Sequence, residues 1–560
     1  MNNIFVIAPV KRPRDISIFS KETDCRNFYV LHDKFIYGNF SEIEEFIFTA
    51  HSNDCKIFVN FNHDISEEDT DLIKRFILFL TYTKIDGIFI NSFSVLEAIK
   101  YLSLDFEIIA DSHFNIHNLS GIDFIKNYGK NYRVVLTEEF DSNNIKLLKE
   151  STNRTYTVEN NNLQWCVKDI ISSKAVDSVI IKGSFESPEE ILEEIKFTEN
   201  ILKNSGKNKK LSDKYGEGSN HSKNSLFAEI FNSKRKKFEI SKFIKPFKWK
   251  HGREKVLPLS EYKKFSIPKI NLRLSSFSQI QALEKYIKKN GFNPVYSIEY
   301  GEIINPCDLS ENSFSELMTK VKNFCDKHYI KFQYSTPHVL PENDFDRVYD
   351  EIKDFCLSSN QDYIVVNNLG YFWRLANDKD LENIKVEIGS GVNLLNSMSI
   401  RSLDEVKSLT SVDFTTFRDI NNIRNCIKHL EDEIPRRKLT VLGNIRVLNQ
   451  ELYTFNFISD KLSKLNIDEK SNNIYAIEDT FSHKMYPFVS DNFGQMHFFK
   501  DEILDLCKYI NIFEEMGINE FVIDLTASDS QLVSLLITKF LNSLNNDTPT
   551  QLPFLTEHLM

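Results

Sequence analysis

The chain has 560 residues, too many for one small module and suited to two to four domains. Its 69 Lys and Arg against 80 Asp and Glu give a net charge of −11, and 41% of its residues are hydrophobic, which excludes global disorder and a wholly basic nucleic-acid binder. Glycine is scarce, 17 residues or roughly 3% against a usual ~7%, which argues against repeated glycine-rich phosphate loops.

The opening Ile4–Pro9 reads as a first β-strand rather than a secretion signal, because charges follow the apolar run and no small-residue cleavage site is present. Short apolar runs recur at 28–31, 56–62, 87–91, 107–111, 133–137, 155–158 and 178–182. Between them, Glu42–His51, Asp69–Leu80 and Ser94–Leu102 place apolar residues at helical spacing. Continuous Val/Ile/Phe runs imply strands buried on both faces, as in a parallel sheet. Eight strand–helix units predict a (β/α)8 barrel over residues 1–202.

Residues 203–262 break the pattern. Within 203–255 there are 16 Lys and Arg against 5 Asp and Glu, a net of +11, which leaves −22 for the rest. Phe243, Phe247 and Trp249 interleave aromatics with charge. The segment reads either as a solvated linker or as a grip for RNA. The alternation returns over 263–548, with strands predicted at 270–274, 294–298, 331–335, 363–367, 386–389, 412–416, 439–442 and 521–525. A second barrel follows, with a small β-rich excursion at about 440–500 and a tail at 549–560.

The halves resemble each other. Ser112-x-x-Asn115-x-x-Asn118 matches Ser390-x-x-Asn393-x-x-Asn396, and Asn143-Asn144-Ile145 matches Asn421-Asn422-Ile423, both at an offset of 278 residues. A constant offset is the mark of internal duplication.

The eight cysteines lie singly, with no CxxC pair, so a local zinc or iron–sulfur site is not expected and the thiols read as reduced in a cytoplasmic protein. No stretch is long and apolar enough to span a membrane. HExxH, GxSxG and Walker motifs are absent from the sequence.

In chain order, Ile7-Ala8-Pro9, Asn39-Phe40, Ala50-His51, Lys56-Ile57-Phe58-Val59 with Asn62, Ile85-Asp86-Gly87-Ile88, Ser112 to Asn118, Arg133-Val134-Val135-Leu136 with Glu139, and Ser187-Pro188 resemble the collagenase-like peptidase family U32. Tyr486-Pro487-Phe488, Asp491, Gly494 and Gly517-Ile518-Asn519 extend the resemblance into the second half. The resemblance implies tandem α/β barrels. It also implies either proteolysis or the oxygen-independent hydroxylation chemistry of relatives that act on a quinone precursor or on RNA through a four-cysteine iron–sulfur cluster. Here no cysteine lies between Cys426 and Cys507, so the cluster ligands are missing and no cofactor is expected.

Side chains at strand C-termini converge on one barrel face. The catalytic candidates are Glu139, His113 and Lys182. Ligand-binding candidates are Asn62, Asn91, Ser112, Asn115 and Asn118 in the first half, and Asn367, Ser390, Asn393, Asn396, Arg418 and Asp524 in the second. Asp111, His113 and His117 could be read as metal ligands, or as loop and capping residues, and no metal is assigned. Gly389-Ser390-Gly391 reads as close packing at a strand end. Three functions stay open. The chain could be a binding or accessory member supporting hydroxylation or RNA modification, with a polar small molecule, peptide, RNA or related protein as partner. It could be a collagenase-like peptidase. It could be a hydroxylase that borrows a cluster from another chain.

Overall fold

The computed structural model describes residues 4–31, 40–61, 65–100, 102, 106–114, 116–128, 131–136, 156–159, 176–182, 187–204, 244–247, 268–305, 308–309, 312–417, 420–431, 433–450, 474–478, 484–491 and 496–544. Among them, no helix is long and apolar enough to cross a membrane.

Eight parallel strands close the first barrel: β1 (Phe5–Pro9), β2 (Asn27–Leu31), β3 (Lys56–Asn60), β4 (Gly87–Ile90), β5 (Glu107–Ala110), β6 (Tyr132–Leu136), β7 (Tyr156–Glu159) and β8 (Val176–Ile180). β8 pairs back onto β1. The helices between and after them are α1 (Pro13–Glu22), α2 (Ser41–Ser52), α3 (Thr70–Thr81), α4 (Phe93–Ile99), α5 (Leu119–Lys126) and α6 (Pro188–Asn204). Alternate strand positions point to opposite faces. One set faces the helices. The other, Ile7, Tyr29, Phe58, Phe89, Ile109, Val135 and Ile180, fills the interior as a separate apolar cluster. Phe89 lies 5.7 Å from Tyr29 and 5.8 Å from Phe58, ring to ring. Burying each large side chain is worth about 1.5–3 kcal/mol, so this plug is held mainly by exclusion of water.

The second barrel comprises β10 (Lys269–Leu274), β11 (Val295–Tyr300), β12 (Lys331–Ser335), β13 (Tyr363–Val366), β14 (Lys385–Ile388), β15 (Leu409–Asp413), β16 (Arg436–Gly443) and β22 (Glu520–Asp524). β16 pairs with both β15 and β22, which closes the ring, and β21 (Leu504–Asp505) adds antiparallel to the end of β16. Its helices are α7 (Phe277–Asn290), α8 (Phe314–Lys327), α9 (Glu342–Ser359), α10 (Leu369–Ala376), α11 (Ser397–Val406), α12 (Ile420–Leu430), α13 (Ile510–Glu515) and α14 (Ser530–Ser543). Between β16 and β21, β17 (Arg446–Gln450), β18 (Ile474–Glu478), β19 (Met485–Ser490) and β20 (Met496–Phe499) form an antiparallel sheet. Its fifth strand is β9 (Ile244–Phe247), which pairs with β18 and comes from the segment read as linker.

The interior of this barrel inverts that of the first. The strand Lys-Ile-Asn-Leu-Arg-Leu turns Ile270, Leu272 and Leu274 to the helices and Asn271 and Arg273 inward. Lys438 Nζ lies 2.7 Å from Glu299 and 2.6 Å from Glu387. Arg436 donates to Glu520 at 2.5 and 2.8 Å and also pairs with Glu387, which Lys331 reaches at 2.8 Å. Burial draws the Lys331 ammonium down to about 8 against the pull of Glu387. Buried ion pairs add little net stability, but losing one partner costs about 3–5 kcal/mol, so this interior enforces a single arrangement more than it adds stability.

The two barrels meet through two reciprocal helix pairs. α5 packs on α10, and α4 packs on α11. Asn118 caps α5 by accepting from Gly121 N at 3.0 Å, and its amide donates to Leu340 O at 3.0 Å in the other barrel. Asn396 caps α11 by accepting from Ser399 N at 2.9 Å and donates to Ile65 O at 2.8 Å. Leu119 N donates to Glu342 at 2.7 Å, and Ser397 N donates to Glu67 at 2.6 Å. Each barrel thus supplies a carboxylate to a helix N-terminus of the other, where exposed N–H groups favour negative charge.

Gly370 permits this approach, since a Cβ there would sit 1.8 Å from Asn118 Oδ1. Gly370→Ala is expected to cost about 2 kcal/mol in urea unfolding. The double variant Gly370→Ala/Asn118→Ala should cost less than the sum of its parts, because the clash is with the side chain removed. Additive costs would place the strain elsewhere.

Candidate functional site

At the C-terminal mouth of the first barrel, β5 delivers Asp111 and Ser112 and β8 delivers Lys182. Lys182 reaches across to form an ion pair with Asp111, which is 1% exposed, and donates to Ser112 Oγ at 2.8 Å. The Ser112 backbone and hydroxyl donate to the same Asp111 oxygen at 2.6 and 3.0 Å. The result is an ammonium bridged by a hydroxyl to a buried carboxylate, half-open to the mouth. Asn91 is buried after β4, and Asn60 ends β3 with its amide oxygen buried and unpartnered.

Of the sequence-derived candidates, Lys182 and Ser112 come together. Asn62, Asn115, Glu139 and Arg418 lie outside the described residues, as does the side chain of His113. Asn118 and Asn396 are fully buried, with their side chains engaged in the caps between the barrels rather than at either mouth. Asn367 braces the second mouth: its amide donates to Ser335 Oγ and Thr336 O, both at 2.9 Å, and its oxygen accepts from Gly391 N at 3.2 Å. Ser390 and Asn393 are half-buried in the loop after β14. Asp524 is buried at the second mouth, 3.2 Å from Arg273.

The residues missed by sequence reasoning surround Asp524. Arg273 also reaches Glu299 at 3.0 Å and Asp413 at 2.8 Å. Glu302 follows β11 through Gly301, whose φ of +122° turns the chain inward and whose Cβ would sit 2.5 Å from the Tyr334 ring. Glu302 pairs with Arg446, the first residue of β17, and lies 2.7 Å from His338. Burial would raise the Glu302 carboxyl, but Arg446, His338 and Arg273 hold it well below the usual range. Burial raises Asp524 against the pull of Arg273. A signal for this set does exist in the sequence. Polar residues alternate along the strands as Asn271/Arg273, Ser297/Glu299, Ser411/Asp413 and Lys438/Thr440.

Among the described residues, no donor set fits an iron–sulfur cluster. The six described cysteines, Cys25, Cys55, Cys325, Cys356, Cys426 and Cys507, are all buried free thiols. Burial pushes each of them up, away from the thiolate a cluster needs. Among the described residues, no three His, Cys, Asp or Glu side chains are grouped to hold a metal.

Burial pushes His338 down to about 4, against the pull of Glu302. The unfolded chain takes up this proton near pH 6.5, whereas the folded chain does not until about pH 4. Stability contributed at neutral pH is therefore lost as pH falls through that window. Between pH 7 and 5 the loss should be about 2 kcal/mol, read from urea midpoints. His338→Asn should flatten the dependence; an unchanged slope would assign it to other groups.

Residues 35–161, within the first barrel, match the model of peptidase family U32. No curated protein matches the chain. Among solved structures, the U32 peptidase Mk0906 is similar at a TM-score of 0.26 and 9% identity, covering 34% of this chain and 96% of that one. D-psicose 3-epimerase from Clostridium cellulolyticum H10 is similar at 0.27 and 12%, covering 36% and 99%. Orotidine 5'-monophosphate decarboxylase from Sulfolobus solfataricus is similar at 0.26 and 14%, also covering 36% and 99%. The family's segments run in order through the first barrel and the matched span lies within it, so this part of the chain is similar to peptidase family U32.

Proposed function

We propose that this chain is a ligand-binding, accessory member of its family, supporting an oxygen-independent hydroxylation or RNA-modification system. The ligand seats at the first mouth against Lys182, Ser112 and Asp111. The observation that carries this reading is the bridged ion pair, which presents a cation and a hydroxyl at the face where barrels of this type receive ligands. The cysteine distribution supports a binding role over a cluster-bearing one, since four thiolates are the usual ligand set.

A second reading, peptidase, is favoured by the 2.8 Å approach of Lys182 Nζ to Ser112 Oγ, which has the reach of a Ser–Lys nucleophile–base pair. Against it, the Lys182 ammonium already has the Asp111 carboxylate as partner, so it acts as a donor to Ser112 rather than as a base.

Purified full-length protein is expected to leave gelatin and short peptides intact and to gain no visible absorbance after anaerobic treatment with iron and sulfide. In a thermal-shift screen of peptides, nucleotides and short RNA, a ligand that stabilises the wild type should lose about tenfold in apparent affinity with Lys182→Met. Cleavage abolished by Ser112→Ala would establish the peptidase instead. A stable brown holoprotein would establish cluster chemistry.

A further inference from the structure

The second mouth contains buried polar atoms that nothing satisfies. Arg446 spends only one nitrogen, Nη2, on Glu302; its Nε and Nη1 are buried and make no hydrogen bond. Glu302 is 3% exposed, and its Oε1 takes both Arg446 and His338. Its Oε2 accepts no hydrogen bond, and Arg273 Nε lies 4.0 Å from it. Asn444, also 3% exposed, accepts from Ala527 N and Ser528 Oγ at 2.9 Å, but its amide nitrogen is unpartnered. Leaving such groups unmet costs about 1–3 kcal/mol each, and more where they are charged. A fold that saturates Arg273 with three carboxylates leaves Arg446 unsaturated at the same mouth.

The orphaned atoms specify their complement. Arg446 offers two charged N–H donors, on Nε and on Nη1, and each calls for an anionic acceptor. Glu302 Oε2 is a charged acceptor beside it. Charge narrows the choice further. Glu302, Asp413 and Asp524 face Arg273 and Arg446, with Glu299 matched by Lys438, so the mouth holds one more negative than positive charge. A plain anion would add to that excess, whereas a ligand of no net charge would not.

We propose that the second barrel binds a small zwitterionic amino-carboxylate at its C-terminal mouth, with the ligand carboxylate accepting from a free N–H of Arg446 and its ammonium on Glu302. The site lies in the other barrel from Lys182 and does not depend on the reading given to that mouth. Arg446 begins β17, and Lys500 N, just after β20, donates to Ile445 O at 2.9 Å. The ligand therefore ties the antiparallel sheet to the barrel at its root.

The test uses the intact chain and thermal-shift titrations with glycine, L-serine, L-glutamate and L-phenylalanine, set beside acetate, methylammonium and inorganic phosphate. At least one amino acid should raise the melting temperature saturably, with the three simple ions inactive at equal concentration. Arg446→Lys keeps a cation on Glu302 but removes the free Nε and Nη1 donors, and should weaken the apparent affinity about tenfold while the free protein stays folded. Hydrogen exchange in β17 and β20 should slow with the amino acid bound. The proposal is overturned if no amino acid of the series acts, if acetate or phosphate acts as well as they do, or if Arg446→Lys retains the full shift.

Discussion

Two carboxylates on opposite barrels hold the molecule together in one arrangement. Glu342 closes the N-terminus of α5 and Glu67 closes that of α11, each from across the interface and each beside an asparagine that bonds a carbonyl of the other barrel. The N–H groups they meet would otherwise be buried without partners, so the barrels cannot slide or part without exposing them. The loops they terminate start at the two mouths. One runs from Asp111 and Ser112 to Asn118; the other runs from Gly389 to Asn396. Each barrel therefore fixes the far end of a loop whose near end lines the mouth of its neighbour.

That reciprocity matters because the barrels differ inside. The first is filled by Tyr29, Phe58, Phe89 and aliphatic residues, a dry plug that leaves polar chemistry only at its rim. The second is threaded with ion pairs from Lys331 and Arg436 at one end to Arg273 and Arg446 at the other. One barrel architecture has thus been filled in two ways. A dry interior gains stability from burial itself. A charged interior demands that every partner be present, which makes an unmatched arginine at its mouth informative.

The strand count, the closed parallel sheets and the β-rich insertion were readable from apolar runs, because local periodicity carries them. The purpose of the repeated Ser-x-x-Asn-x-x-Asn segment was not. The partners of Asn118 and Asn396 lie 222 and 331 residues away, and no local pattern connects them. Lys182 and Ser112 were found because strand ends of a barrel converge. Arg273 was missed because 270–274 was placed as a strand without asking which side chains of Ile-Asn-Leu-Arg-Leu point inward, and Glu302 and Arg446 because they follow the barrel strands rather than lie on them. β9 was hidden in a basic segment whose composition outweighed its short strand.

Hydrogen exchange on the intact chain carrying Glu342→Ala tests the reciprocal hold most directly. Amides of residues 112–122 should exchange faster, on the order of tenfold, while 389–400, held by Glu67, keep their protection. Unchanged exchange at 112–122, or acceleration spread evenly through both barrels, would contradict it.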